Sequence, residues 1–310
     1  MLEKYNKSPH IPVLLNEVLS SFKDAKSGVY VDCTLGYGGH AYEILKQNSN
    51  LSLIGIDRDL EALNFSKDRL KEFKDRVEFK RGSFSQQIKE IDFSKVSIVL
   101  ADFGVSSLQL DKLDRGFSFD SDTLDMRMDQ SSTFSAYELV NSYSKEMLEK
   151  IFKEFGEIKE ASKLASAIVN YRESKEITSS KELADIIAKN IYKKGKIHPA
   201  TLAFQAIRIE VNKELEEIVS LLDTLENAKP KGAIVGLITF HSLEDRLVKQ
   251  RFRAWEKKCI CPPGIMKCQC GGDNHLGQAK PRKAISATAS EIKQNPRSRS
   301  AKLRVFKFKD

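Results

Sequence analysis

The feature that most constrains this chain is a short run near its start, VYVDCTLGYGGHAYEIL. An apolar segment there ends in Asp32, passes through Gly36, Gly38 and Gly39, and takes up a period near 3.6 from His40 onward. A strand that hands over to a helix through glycines opens a βαβ unit, and the same punctuation recurs through the first hundred residues. Strands are predicted near 29–33, 52–56, 77–80 and 96–101, with helices near 39–48 and 59–72. Alternation of this kind gives a parallel sheet. From about 111 to 228 the pattern changes to amphipathic helices such as KEMLEKIFKEF, IKEASKLASAIVNYRE and KELADIIAKNIYKK, with no strand signature. Strand character returns at KGAIVGLITF (231–240) and AKLRVFKF (301–308), so the sheet resumes after a helical insertion. The stretch 259–300, rich in Cys, Gly, Pro, Ser and Ala, carries the least structural signal.

Length and composition narrow the class further. A chain of 310 residues is about twice a typical domain, and 41% hydrophobic with 30% charged residues describes a globular protein rather than a disordered or fibrous one. The longest apolar runs, VSIVLADFGV and AIVGLITF, fall far short of the roughly 20 residues that span a bilayer. The first twenty residues mix charge and proline, unlike a signal peptide. A cytoplasmic protein without a membrane partner is expected, and its five cysteines are then reduced thiols, metal ligands or catalytic groups. The net charge of +8 is uneven: residues 241–310 hold 17 Lys and Arg against 6 Asp and Glu, and the other 240 residues come to about −3. Arg297, Arg299, Lys302 and Arg304 belong to that basic tail. A local excess of this kind suits the neutralisation of nucleic-acid phosphates, and a solvated basic surface is the competing reading.

The glycine loop differs from a dinucleotide fingerprint. Its order is DxxxGxGG, from Asp32 to Gly39, and the next strand ends in Asp57, 21 residues after Gly36, where a carboxylate can accept hydrogen bonds from ribose hydroxyls. That arrangement points to S-adenosylmethionine, which has no pyrophosphate to bind. Phe84, after the third strand, is placed to cover an adenine or to join the core. Asp102 ends the fourth strand, where open α/β sheets line their ligand crevice. The Asn/Asp-Pro-Pro-Tyr/Phe signature of many nucleic-acid amino-methyltransferases is replaced here by Asp102, Phe103, Gly104 and Val105.

Taken together the motifs resemble the small-subunit ribosomal RNA methyltransferases that modify cytosine N4, the RsmH or MraW family. The match covers HIPVLLNEVL (10–19), DCTLGYGGH (32–40), ADFGVSSLQLD (101–111), RGFSF (115–119), LDMRMD (124–129), HPAT (198–201), FQAIRIEVNKEL (204–215), FHSLEDR (240–246) and NPRSRSAKLR (295–304). The resemblance implies an α/β fold with a class I S-adenosylmethionine-dependent, Rossmann-like core and an inserted all-helical domain. The divisions expected are 1–110 for the first part of the core, 111–212 for a helical RNA-substrate domain, and 213–310 for the rest of the core with its basic, cysteine-containing segment. It also implies methylation of a cytidine in the P-site region of 16S rRNA, within the 30S subunit, with a homodimer left open. Methyl-donor contacts carry over to Gly38, Gly39, His40, Asp57, Phe84, Asp102 and Gln109. Relatives commonly have arginine soon after HPAT, whereas this chain reads Leu202 and Ala203, so an RNA contact from that arginine is not carried over.

Transfer to an amine conjugated with its ring needs in-line positioning and an acceptor for the N–H proton, and Asp102 is the candidate catalytic group. His241, at the end of the resumed strand, is a second candidate, with a helix-capping turn around Ser242 as the alternative. Thr201, Gln205, Arg208 and Asn212 recur at spacings of 4, 3 and 4 and share one helix face, which could contact RNA or make interdomain hydrogen bonds. Arg115 and Arg127 are candidate phosphate contacts. Cys259, Cys261, Cys268 and Cys270 form two CxC pairs within 12 residues, a possible zinc site, while Cys33 reads as core. Two other functions stay in competition: a dinucleotide-dependent oxidoreductase, and a non-catalytic RNA-binding module built on the C-terminus.

Overall fold

The computed structural model describes residues 11–191, 198, 200–265 and 267–310. The first residue of HIPVLLNEVL and the proline of HPAT lie outside them. Along the chain come α1 (Leu15–Phe22), β1 (Gly28–Asp32), α2 (Gly39–Gln47), β2 (Leu51–Asp57), α3 (Leu60–Arg69), β3 (Val77–Arg81), α4 (Phe84–Gln87) and β4 (Val96–Asp102). Six helices follow: α5 (Ser107–Asp111), α6 (Ala136–Ser142), α7 (Lys145–Glu154), α8 (Ala161–Arg172), α9 (Ser180–Asn190) and α10 (Ala200–Asn212). The chain then runs through α11 (Glu214–Ala228), β5 (Ile234–Thr239), α12 (Ser242–Trp255), β6 (Gly277–Ala279), β7 (Ile285–Ser286), α13 (Ala289–Gln294) and β8 (Lys302–Phe308).

The chain divides into two compact units, residues 1–104 with 216–310, and residues 105–215. The expected boundaries lay at 110 and 212. The first shifts because Gly104, at φ +101°, turns the chain directly after β4, and Val105 and Leu110 pack into the helical core. The second shifts because Ile218, Leu221, Leu222 and Leu225 of α11 are buried with Val235 and Leu237 of the sheet.

In the first unit the sheet runs β3-β2-β1-β4-β5-β8-β6, with β7 also on β8. The five strands from β3 to β5 are parallel, and β8 joins β5 antiparallel. This is a Rossmann-like sheet, as expected, and its parallel strands were legible in the sequence, β3 as the alternating VEFK and the others as apolar runs. The order reverses at β1, whose neighbours are β2 and β4, and ligands of such sheets bind outside the strand ends at that switch point. Helices cover both faces: Leu14, Val18, Ile44, Leu45 and Leu63 bury one side of the strands, while Ile88, Leu221, Val248 and Trp255 bury the other. The stretch 259–300 holds more than expected. β6 and β7 are too short to carry a periodic signal and form because β8 offers both of them backbone partners.

The second unit is all-helical among its described residues, and its core gathers Leu139, Leu148, Phe152, Leu164, Ile168, Leu183, Ile187 and Ile207. Ser135 caps α6 through a reciprocal pair with Glu138, and Ser144 and Ser179 cap α7 and α9.

Candidate active site at the strand ends

Three carboxyl side chains close the carboxyl ends of neighbouring strands: Asp32 on β1, Asp57 on β2 and Asp102 on β4. Parallel strands beginning in one layer end in one layer, so the topology brings together residues far apart in sequence. Asp32 is 2% exposed, and its Oδ2 accepts from the Tyr30 hydroxyl at 2.5 Å while Oδ1 accepts from the Thr34 N–H at 3.2 Å. Burial raises its pKa to about 7 against these two lowering contacts. Asp57 is also raised by burial, with Gly36 and Asp59 N–H groups holding its carboxylate at 2.7 and 2.8 Å. Asp102 is pushed well above the carboxylate range by burial and then by the charges of Asp32 and Glu244. Its backbone N–H donates to the Thr34 hydroxyl at 2.6 Å, yet its Oδ1 is sealed from solvent without a hydrogen-bond partner. An oxygen in that condition is costly unless a ligand supplies a donor.

The glycine loop shapes the space beside these acids. Gly36 has φ +52°, and a Cβ there would meet nothing nearer than the Thr34 carbonyl at 3.8 Å, so the loop is open at that point. Its carbonyl accepts from the Ser66 hydroxyl and its N–H holds Asp57, which fixes the loop to the end of β2 and to α3. Gly38 is left-handed, at φ +69°, and leads into α2 without a side-chain cap. Gly39 has a different reason: a Cβ there would lie 2.5 Å from Pro12 Cγ, so the residue makes room for the segment before α1.

Several of the expected donor-contact side chains have partners within the protein. The His40 ring is buried and bonds the Val13 carbonyl at 2.9 Å, so it secures the N-terminal segment. What His40 can offer a donor is its backbone N–H in the first turn of α2. The Phe84 ring joins the core, tilted against Phe103 at 5.9 Å. Gln109 belongs to the helical unit, where it is buried and its Oε1 accepts from the Ser106 N–H at 2.9 Å. His241 is itself the cap of α12, not Ser242: Glu244 N–H approaches its Nδ1, and the buried Glu244 carboxylate accepts from the Phe240 and His241 N–H groups at 2.7 and 3.2 Å. Its Nε2 lies 3.1 Å from Glu244 Oε1. Thr34, Tyr30 and Pro12 were missed as parts of the site. Tyr30 alone had a signal, since it shares a strand face with Asp32 two residues on.

The candidate RNA contacts fall into two groups. Arg115 is 3% exposed and donates to the Arg127 and Met128 carbonyls, so it is a structural residue and not a phosphate contact. Arg208 pairs with Glu214 through two bonds of 2.8 and 2.9 Å, and Gln205 donates to the Phe155 carbonyl. Asn212 is buried, bonded to Met128 N–H and to the Met126 carbonyl, both at 2.8 Å. Three of the four residues of the polar stripe on α10 are thus bonded inside their own unit, and Thr201 is exposed. Arg127 is held by Asp125 at 2.7 and 2.8 Å and keeps partial exposure. Leu202 is exposed and Ala203 buried. Arg304 is committed to Asp245, whereas Arg297 and Arg299 are exposed on the turn Pro296–Ser300. Cys33 is buried in the core as expected, and no helix among the described residues is long and apolar enough to cross a membrane.

Comparison with known proteins identifies the family. The model of the MraW methylase family matches residues 7–309. Proteins named Ribosomal RNA small subunit methyltransferase H are similar over nearly the full length: that of a Nitratiruptor species is 56% identical over 98% of this chain and 99% of its own. That of a Sulfurovum species is 57% identical over 98% and 99%, and that of Aliarcobacter butzleri is 56% identical over 97% and 99%. Neither an oxidoreductase nor a non-catalytic module accounts for such matches, and the chain belongs to the MraW methylase family and is a methyltransferase.

Proposed function

We propose that this methyltransferase acts in the cytoplasm on 16S rRNA in the 30S subunit, methylating the exocyclic N4 of a cytidine in the P-site decoding region with S-adenosylmethionine as donor. The carrying observation is the buried, unpartnered Oδ1 of Asp102 beside two other desolvated carboxyls. An exocyclic amine is a donor such an oxygen lacks. The strand-end acids fit the donor as well, because three carboxyls that burial discourages from ionising gain most from a cationic ligand. When bound, S-adenosylmethionine supplies an electrophilic methyl on a positively charged sulfur. The open face at Gly36 admits a ligand, and Asp57, fixed by two backbone N–H groups, is oriented to accept from ribose hydroxyls. Asp102 Oδ1 would accept the N4 hydrogen, aligning the nitrogen lone pair with the methyl and taking the proton released on transfer. Thr34 keeps the Asp102 backbone in place during this. Arg297 and Arg299, exposed on the turn Pro296–Ser300, would meet RNA phosphate.

The test is transfer from labelled S-adenosylmethionine to 30S subunits lacking the modification, with the labelled nucleoside identified by mass spectrometry and deproteinised 16S rRNA run in parallel. N4-methylcytidine from 30S subunits, lost with Asp102→Asn, is the expected result. Label in another nucleoside would overturn the acceptor assignment, and label confined to naked rRNA would overturn the particle.

A further inference from the structure

We propose that Cys259, Cys261, Cys268 and Cys270 bind one zinc ion as four thiolates, and that this ion is what folds the segment between α12 and β6. All four Sγ atoms lie within 4.8 Å of one another. Three separations are 3.7 Å (Cys259 to Cys268), 3.6 Å (Cys268 to Cys270) and 3.7 Å (Cys270 to Cys259). A tetrahedron of sulfurs about zinc, with bonds near 2.3 Å, has edges of about 3.8 Å. A disulfide needs about 2.05 Å between sulfurs, so these cysteines are arranged for a shared ion and not for each other. The Ile260 N–H donates to Cys270 Sγ and the Gln269 N–H to Cys261 Sγ, both at 3.3 Å. Each CxC pair thus has a backbone donor aimed at a sulfur of the other pair, which stabilises thiolate over thiol.

The segment has no apolar support of its own. None of its described residues from 256 to 276 is buried, and Ile260 stands 63% exposed, so it has no apolar core. Segments this small usually need a metal or disulfides to hold one conformation. Its ends are nevertheless closed: the Asn274 N–H and side chain donate to the Lys258 carbonyl, its amide also reaches the Cys270 carbonyl, and Leu276 N–H bonds the Trp255 carbonyl. Zinc with four thiolates carries a net charge of −2, and the exposed Lys257, Lys258 and Lys267, near the cysteines in the sequence, carry the opposite sign. The single-ion spacing is too tight for an iron–sulfur cluster, whose thiolates sit much farther apart on separate irons.

The full chain, purified without chelator, should contain one zinc per molecule by plasma mass spectrometry, released by a mercurial thiol reagent. Cobalt loaded in its place should show the thiolate-to-metal absorption and strong visible bands of a tetrahedral four-sulfur site. Cys268→Ser and Cys261→Ser should lower zinc content at least tenfold, while Cys33→Ser leaves it unchanged. Holding zinc should also slow trypsin cleavage after Lys257, Lys258 and Lys267 at least tenfold relative to the chelated wild-type chain. A metal-free wild-type chain with four titratable thiols, disulfides among these cysteines, or iron in place of zinc would each overturn the proposal.

Discussion

In the sheet unit, Asp32, Asp57 and Asp102 meet at neighbouring strand ends, close enough for the charge of one to disfavour ionisation of the next, and all three are raised by burial. In the helical unit, Arg208 and Asn212 are equally polar, yet their side chains are bonded to a carboxylate, carbonyls and an N–H of the same unit, and Arg115 donates through its Nη2 to two carbonyls there. The difference separates a site from a scaffold. Polar groups that a fold satisfies internally hold the fold together, whereas Asp102 Oδ1 is left without a partner among acids that burial keeps from ionising. The separation predicts opposite responses to substitution: the acids should cost activity and little stability, and the helical-unit residues the reverse.

The sharpest contrast is Asp102→Asn, which keeps size and shape while removing the proton acceptor. Its kcat should fall roughly 10²–10⁴-fold, in the range of a lost general base, with a thermal midpoint equal to or above that of the parent. A midpoint well below the parent's would move Asp102 to the scaffold side. Next comes Asn212→Ala, which leaves the buried Met128 N–H and Met126 carbonyl without partners and should destabilise by about 3 kcal/mol in urea unfolding. Its KM for the methyl donor should not change; a raised KM with normal stability would break the comparison from the other side.

The sequence made one side of this contrast far more readable than the other. Asp32, Asp57 and Asp102 were visible because each ends an apolar run, and strand ends in a parallel sheet converge by topology alone. The reason for Gly39 was not visible, since it depends on Pro12 packing across from another part of the chain. Nor was the Thr34 hydroxyl's hold on the Asp102 backbone, made across 68 positions. Helical spacing placed Gln205, Arg208 and Asn212 on one face of α10 correctly, but periodicity does not say whether a face looks outward. The carbonyls of Phe155 and Met126 decide that, and they come from other elements. For the same reason β6 and β7 escaped notice, because two or three residues become a strand only when β8 lies beside them.

The acids also make a pH prediction of intermediate size. A carboxyl whose folded pKa is raised, as Asp32 is to about 7, contributes stability that is present below its unfolded value and lost as pH rises through 7. The ligand-free protein should therefore lose roughly 1.4 kcal/mol per pH unit per such group across that window, and Asp32→Asn should flatten the loss. Donor binding runs the other way. A positive sulfonium favours ionised acids, so S-adenosylmethionine should bind about tenfold tighter at pH 8 than at pH 6, releasing protons as it does. S-adenosylhomocysteine lacks that charge and should show a much flatter profile. Titration calorimetry in buffers of different ionisation enthalpy measures both, and equal pH profiles for the two ligands would remove the electrostatic account of the crevice.

The smallest effect belongs to residues outside both groups. Arg297 and Arg299 are exposed on the turn before β8, next to Arg304, whose guanidinium Asp245 already holds at 2.7 and 3.1 Å. Replacing Arg297 and Arg299 by Ala should leave folding within about 0.5 kcal/mol, as expected for surface positions. If both meet RNA phosphate, the dependence of log affinity on log salt should flatten by about 1 for each, with weakening at all sequences alike. Arg304→Ala is the informative partner experiment, because it leaves Asp245 with Lys302 alone and should lower stability while barely changing the salt slope. Equal slopes for all three variants would mean that the basic tail is a solvated surface, and that RNA affinity must come from elsewhere on the molecule.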